Sequence, residues 1–295
     1  MKYFLYTIIL TLFANFAQAQ TGYYNYVQVS EALRVAGSSA QGIYGRAGAG
    51  VPSPLNNTSN QSLFLWNAPR GSFYSGYYLT TDITTDLNTR MQSVGLGYRA
   101  VPKSNFATAI GFNARAFTYA IAMGSNAEAT GNHSVAIGSN SKAEALYAFA
   151  AGRNARASYR SSTALGEATL ADANFAFAAG ENSWAKGVGS VALGLSSEAF
   201  GAASFASGDY TRAAGEVSFA HGRGIEALHY GTFAVGLFNE PHSSIGANHS
   251  TRPLFVVGNG TSEFHLSNAL EVRANGEVHI QKIPPKGGIS MGNFQ

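Results

Sequence analysis

Small and apolar positions recur along the middle of this chain on a 14-residue cycle. Glycine marks the cycle at Gly97, Gly111, Gly124, Gly138, Gly152, Gly166, Gly180, Gly194, Gly208, Gly222 and Gly236, and every interval is 14 residues except one of 13 between Gly111 and Gly124. Alanine stands two residues before the glycine in each coil from Ala109 to Ala234, and only the first coil departs, with Gly95. Alanine recurs five residues after it, from Ala116 through Ala143 and Ala185 to Ala227. A fixed period sustained this long is the mark of a solenoid. Fourteen residues hold two strands of about five residues and two tight turns, which leaves nothing for a third side. Each coil is therefore predicted to be a flat loop contributing one strand to each of two sheets. Eleven coils at ~4.8 Å spacing make a rod roughly 50 Å long.

The first strand runs through segments such as Ser134-Val135-Ala136-Ile137-Gly138, the second through Ser141-Lys142-Ala143-Glu144. Asn113, Asn126, Asn140, Asn154 and Asn182 fall in the turn between them, where asparagine tolerates left-handed backbone. In the second strand small residues (Ala155, Ala157) alternate with polar ones (Arg156, Ser158), the pattern of a half-buried strand. The first strand has one face of Ser and Ala (Ser190, Ala192) and another of large apolar residues (Val191, Leu193), so both faces shed water. The small face fits a thin roll interior. The large face then needs a partner outside the coil, because a stripe running through eleven coils exceeds the patch a soluble monomer tolerates. A second copy of the same stripe is the natural partner, and identical chains favour closed symmetry. The alternative places the large face inside a monomeric roll. Side-chain volume is traded along the stripe: Ile137 and Leu193 accompany Val135 and Val191, whereas Ala151, Ala179, Ser207 and His221 accompany Phe149, Phe177, Phe205 and Phe219. Such compensation is what a densely packed shared face requires.

The coils Ser134-Val135-Ala136-Ile137-Gly138 and Ser190-Val191-Ala192-Leu193-Gly194, with their following alanines, resemble the YadA-like head of trimeric autotransporter adhesins over residues 93–239. The resemblance implies a left-handed parallel β-roll, three chains around one axis, and attachment to host matrix or other surfaces. The chain departs from that family's full architecture. No heptad stalk follows the head, and no run of amphipathic strands reads as a membrane barrel, so self-anchoring is not expected of these residues.

The flanks complete an all-β layout: a left-handed parallel β-roll solenoid, homotrimeric, with N- and C-terminal caps. Lys2, the apolar run Tyr3 to Phe16 and the small-x-small site Ala17-Gln18-Ala19 read as a secretory signal over 1–19. An uncleaved anchor is the alternative, but the run is short for a ~20-residue span and contains Asn15. No later segment is apolar enough to span a bilayer as a helix. Residues 20–92 read as an irregular, aromatic-rich N-terminal cap (Phe64, Trp66, Phe73, Tyr74, Tyr77, Tyr78), with a surface loop from Pro52 to Gln61. Residues 93–239 are the head of eleven ~14-residue coils. Residues 240–283 read as a C-terminal β cap, in which Leu254 to Val257 precede a Gly258-Asn259-Gly260 turn and Asn275-Gly276 joins Ala269–Arg273 to Glu277–Ile280 as a hairpin. This end resembles segments that close similar heads and some phage fibres. The tail 284–295, with Pro-Pro and Gly-Gly, reads as loosely ordered.

Composition narrows function further. Charged residues make up only 12% of the chain and the formal net charge is +3, too little and too scattered for a nucleic-acid partner. With no cysteine, thiolate catalysis, disulfides and Cys-based metal sites are excluded. His221 lies on the large-residue stripe, where copies around an axis could gather a metal or an anion; a packed polar position beside Phe219 is the plainer reading. His229, His242 and His249 lack ligand spacing on one element. Gly222-Arg223-Gly224 is read as a solenoid corner, since no G-K-[ST] follows it. Asp172, Glu181 and Asp209 invite comparison with a paired-carboxylate glycosidase, but they fall on different coils. Outward Arg115, Arg156, Arg160 and Arg212 read as a solvated face or a contact for acidic polymers. No catalytic, cofactor-binding or metal residues are assigned. The expected function is a non-enzymatic, exported adhesin-like trimer at the bacterial surface (outer membrane associated) or outside the cell. Its expected partners are extracellular matrix or surface polymers. The alternatives are a trimeric spacer or phage-fibre-like part and, remotely, a polysaccharide-acting β-helix enzyme. Intact mass of the exported protein should begin at Gln20; a chain retaining Met1 or Lys2 would remove the cleaved-signal reading.

Overall fold

Parallel strands one coil apart place equivalent residues directly over one another, so the 14-residue cycle becomes a set of vertical columns. The computed structural model describes residues 43–47, 61–67, 71–78, 91–241 and 250–281. The signal at 1–19, the tail at 284–295, His242 and His249 lie outside them, as does the loop read at 52–61 apart from Gln61, which begins a strand. Eleven first strands, from Val94–Leu96 to Phe233–Leu237, stack in parallel in one sheet. Ten second strands, from Val101–Pro102 to Glu226–Ala227, stack in parallel in the other. Among the described residues the chain is thus an all-β parallel solenoid with ten complete turns rather than eleven, because no second strand follows the last first strand there. Asn239 stands where that strand would run. Its side-chain Oδ1 accepts from the Glu226 amide at 2.7 Å, and its Nδ2 donates to the Glu226 carbonyl at 2.9 Å. One amide side chain thus satisfies both backbone groups of Glu226 in the final second strand.

The Ser/Ala face of the first strand is the interior. Ala109, Ala122, Ala136, Ala150, Ala164, Ala178, Ala192, Ala206, Ala220 and Ala234 are all fully buried, as are Ala116, Ala129, Ala143, Ala157, Ala171, Ala185, Ala199, Ala213 and Ala227 opposite them. The large residues point away from the roll, and the alternative that put them inside a monomer fails because the interior is one small side chain deep per sheet. Serines four residues before the glycines tie the corners: Ser134, Ser162 and Ser218 each donate to the carbonyl three residues back at 2.6 Å. The glycine column is steric. Its φ values run from 108° to 133°, and a Cβ on any member would collide with the carbonyl of the glycine, one coil on, that it stacks against.

Beyond the coils the same sheet continues. Within the region read as an N-terminal cap, the described strands Ile43–Ala47, Gln61–Asn67 and Ser72–Tyr78 form an antiparallel meander whose last strand pairs in parallel with Val94–Leu96. Tyr74 lies beside Gly95, the one position two residues before the coil glycine where alanine is missing; a Cβ there would strike the Tyr74 ring and Pro102. Tyr74 and Tyr78 are fully buried, and the Tyr78 hydroxyl donates to the Gly95 carbonyl at 2.9 Å. At the other end Pro253–Asn259 pairs in parallel with Phe233–Leu237 and antiparallel with Asn268–Arg273, which forms the expected hairpin with Val278–Ile280. The strand runs through Gly258 and Asn259, where a turn was expected, because the Gly236 column needs a partner and Gly258 supplies it.

Gly194→Ala should lower unfolding free energy by at least roughly 3 kcal/mol, since backbone strain and the clash with Gly208 act together. Gly189→Ala, also at positive φ but with open space around it, should cost only about 1 kcal/mol. Guanidinium unfolding of the two variants checks the contrast.

Candidate interaction surfaces

With small residues inside, the large side chains of the solenoid face outward in columns, apart from Val101 in the first coil and Ile225 in the last. Three surfaces result. The outer face of the first sheet is mostly apolar, with Thr108, Thr163, Ser207 and His221 as its polar members. Ile121, Met123, Ile137 and Phe233 retain 38–40% exposure, and Val135, Leu165, Val191 and Leu193 are half-buried. Toward the C-terminal end the stripe becomes a stack of rings, Phe205, Phe219, Phe233 and Phe255, with successive centroids 4.9, 4.4 and 5.6 Å apart. His221 sits on this face at the register of Ser207 and Val235. Its Nδ1 lies 2.7 Å from the Ser207 hydroxyl and its ring is tilted against Phe219, while the residue itself is exposed in the single chain.

The outer face of the second sheet is charged but locally neutral. Arg115 pairs with Glu128 at 3.4 Å, Lys142 with the same Glu128 at 3.5 Å, Arg156 with Glu144 at 2.9 Å and Arg212 with Glu198 at 3.9 Å. Three of the four arginines singled out above thus have carboxylate partners, and only Arg160 has none among the described residues. Such exposed pairs contribute about 0–1 kcal/mol each. Farther along, Lys186 sits 4.4 Å from the Trp184 ring and 5.2 Å from Phe200, which Arg212 also approaches at 5.4 Å. Sequence reading passed over this cluster, although Trp184 occupies an outward second-strand position normally held by a charged residue.

The corners form the third surface. Asn113, Asn126, Asn140 and Asn154, all at φ near 55°, pass a side-chain hydrogen bond from coil to coil at 3.1–3.2 Å. The opposite corner also needs positive φ, five residues before each glycine, and there the residues include Phe106, Tyr119, His133 and Tyr147. This requirement was not anticipated, since these are not turn-formers. Left-handed backbone costs such residues ~1–2 kcal/mol each. Ring stacking at 4.6, 4.8 and 5.4 Å returns about 0.5–1.5 kcal/mol per pair, which largely offsets it. The readable signal was the aromatic spacing itself. Tyr77, Tyr98 and Phe112 make a second stack at 5.1 and 5.0 Å.

The three carboxylates considered for hydrolysis are not brought together. Glu181 and Asp209 share a column but are separated by Leu195, and Asp172 belongs to the other sheet. Asp209 instead forms an ion pair with the Arg223 guanidinium at 3.1 Å. On the C-terminal hairpin, hydrogen bonding to Asn275 and His279 and the charge of Arg273 hold the Glu277 carboxyl below its usual range. A hydrogen bond to Glu271 at 2.6 Å is the main cause that raises Arg273. Among the described residues no helix is long and apolar enough to cross a membrane.

The family described as the YadA head domain repeat (2 copies) matches residues 118–141, 129–155, 171–197 and 185–211. These segments are the solenoid coils themselves. No curated protein matches the chain.

His221→Gln should preserve the link to Ser207 and change stability by less than about 1 kcal/mol. A large loss of thermal stability that added divalent metal restores would show the packing account to be wrong.

Proposed function

We propose that this protein, whose residues 118–211 form a YadA-like head domain, works as the exported, homotrimeric, non-catalytic head of a surface adhesin. The observation that carries the reading is the apolar outer face of the first sheet. Its large side chains sit on a rigid, regular sheet, half-exposed in the single chain from one end of the solenoid to the other. Completing their burial would gain on the order of 1 kcal/mol per large side chain, about half of what full burial yields. Summed over the coils this reaches roughly the 5–15 kcal/mol that constitutes a domain's whole net stability. Three copies packed on this face of a left-handed roll leave the second sheet and the corners facing outward, where extracellular matrix or surface polymers would be met. The flanking strands at 20–92 and 240–283 serve the head at 93–239 as caps, pairing the ends of a sheet that would otherwise recruit other chains. The signal at 1–19 directs the chain out of the cytoplasm, to the cell surface or beyond.

Val135→Asp combined with Val191→Asp places unpaired carboxylates on the shared face, which a dry interface makes costly. Sedimentation should find the wild type as a trimer at micromolar concentration and the double variant dissociated, unfolded or aggregated. Arg156→Asp on the outer face should remain trimeric. Beads carrying the wild type should adhere to matrix-coated surfaces, and the double variant should not. A compact, well-folded wild-type monomer would overturn the reading.

A further inference from the structure

Aromatic rings in this protein differ in how far their faces are covered. In the corner stacks around Tyr119 and Tyr98, ring faces are covered by the next coil's ring at 4.6–5.1 Å, so those rings are spent on the fold. Tyr159 and Phe175 along the rod are exposed singly, whereas near the last coil two such rings meet. Tyr210 is 62% exposed and Phe264 82% exposed, and neither has a stacked ring partner among the described residues. Both line one cleft of about 630 Å³, with Phe238, Arg223, Glu226 and Glu263. That volume lies within the roughly 300–1,000 Å³ of small-molecule sites.

The cleft follows from one missing side chain. Tyr210, Gly224 and Phe238 occupy the same corner column on successive coils. Gly224 lets the Phe238 ring lie in the space a side chain would take, and any Cβ there would strike that ring. The column is therefore interrupted between two rings. The segment after Asn259 then brings Phe264 and Glu263 to the opening. Polar groups are fixed as well. Asp209 holds the Arg223 guanidinium at 3.1 Å, and that guanidinium lies 5.7 Å from the Phe238 ring centroid, so its remaining donors are oriented. The backbone of Glu226 is clamped by Asn239. Glu226 and Glu263 have no ion-pair partner among the described residues.

From this combination we propose that the cleft binds the end of a neutral oligosaccharide. The proposal rests on reading the chain as a binding head and names its ligand class. Ring faces accept the C–H face of a pyranose, carboxylates accept from its hydroxyls, and the guanidinium donates to their oxygens. An acidic sugar is disfavoured because the one cation already has its counter-charge and two carboxylates are left over. The charged outer sheet, with its arginines paired, offers no comparable setting.

Titration of the purified full chain with neutral trisaccharides (cellotriose, mannotriose, galactotriose), with trigalacturonate and with trilysine tests the proposal. At least one neutral trisaccharide should bind saturably. Phe264→Ala and Tyr210→Ala should each weaken it about tenfold, whereas Tyr159→Ala, another exposed ring, should not. Phe264 is almost wholly in solvent, so its variants should keep the wild-type melting temperature; Phe264→Leu provides a second, apolar replacement with the same expected loss. Tighter binding of trigalacturonate or trilysine, no neutral binding, or binding indifferent to Phe264 and Tyr210 would each overturn the cleft as a sugar site. If the wild type adheres to matrix-coated surfaces while neutral trisaccharides neither bind nor compete, the cleft proposal falls and the binding-head reading stands.

Discussion

Two sheets lie this close only where the side chains between them end at a methyl or a hydroxyl group. The interior alanines fix the distance between the two strands of each coil, and the glycine column fixes the path around the corner. Once those two are set, nothing larger fits inside, and every Phe, Tyr, Trp, Leu and Ile is turned outward except near the ends. Tyr74, Tyr78 and Val101 at the first coil, and Ile225 and Val256 at the last, are the larger buried apolar residues. Each lies where the stack of identical coils stops.

An interior of this kind is a weak source of hydrophobic free energy. Burying an alanine methyl gains roughly 0.8 kcal/mol, against about 1–2 kcal/mol of backbone entropy lost per ordered residue. The remainder comes from elements that repeat with the coil. Backbone hydrogen bonds link coil to coil even through the corners, as from Tyr119 to Asn105 and from His133 to Thr118. The asparagine and aromatic columns add side-chain contacts at the same spacing. The apolar outer stripe is the largest reserve left, and a single chain realises only part of it. That is the physical reason association with further copies is the natural completion of this fold.

How much of this was readable in advance depended on which residues carried the repeat. Gly and Ala recur without interruption, so the period, the two strands, the small interior and the outward stripe were all legible. The corner asparagines were legible because their side chains announce left-handed backbone. The facing corner was not, since Phe106, Tyr119 and His133 hide the same geometry behind residues chosen for stacking. The N-terminal meander was missed because its strands do not share the 14-residue period and pair antiparallel. Gly95 stood out as an exception in the sequence but acquired a meaning only when Tyr74 was found beside it. The terminal cleft was illegible for a related reason. Its residues come from three coils and a later segment, and no spacing links Tyr210 to Phe264.

A solenoid of equal coils offers equal surfaces, so specificity has to arise where the repetition is broken. Along the middle of the rod, side chains in one column cover each other and pair with each other: Arg156 with Glu144, Tyr119 with His133, Asn126 with Asn140. A ligand approaching there must displace contacts that already exist. Gly224 breaks the column beside the last coil, and Asn239 ends the second sheet one coil later. Both changes release side chains from their vertical partners. The rings and carboxylates freed at that point also meet in one cleft, which places selective recognition at the end of the rod and leaves its length to rigidity and self-association.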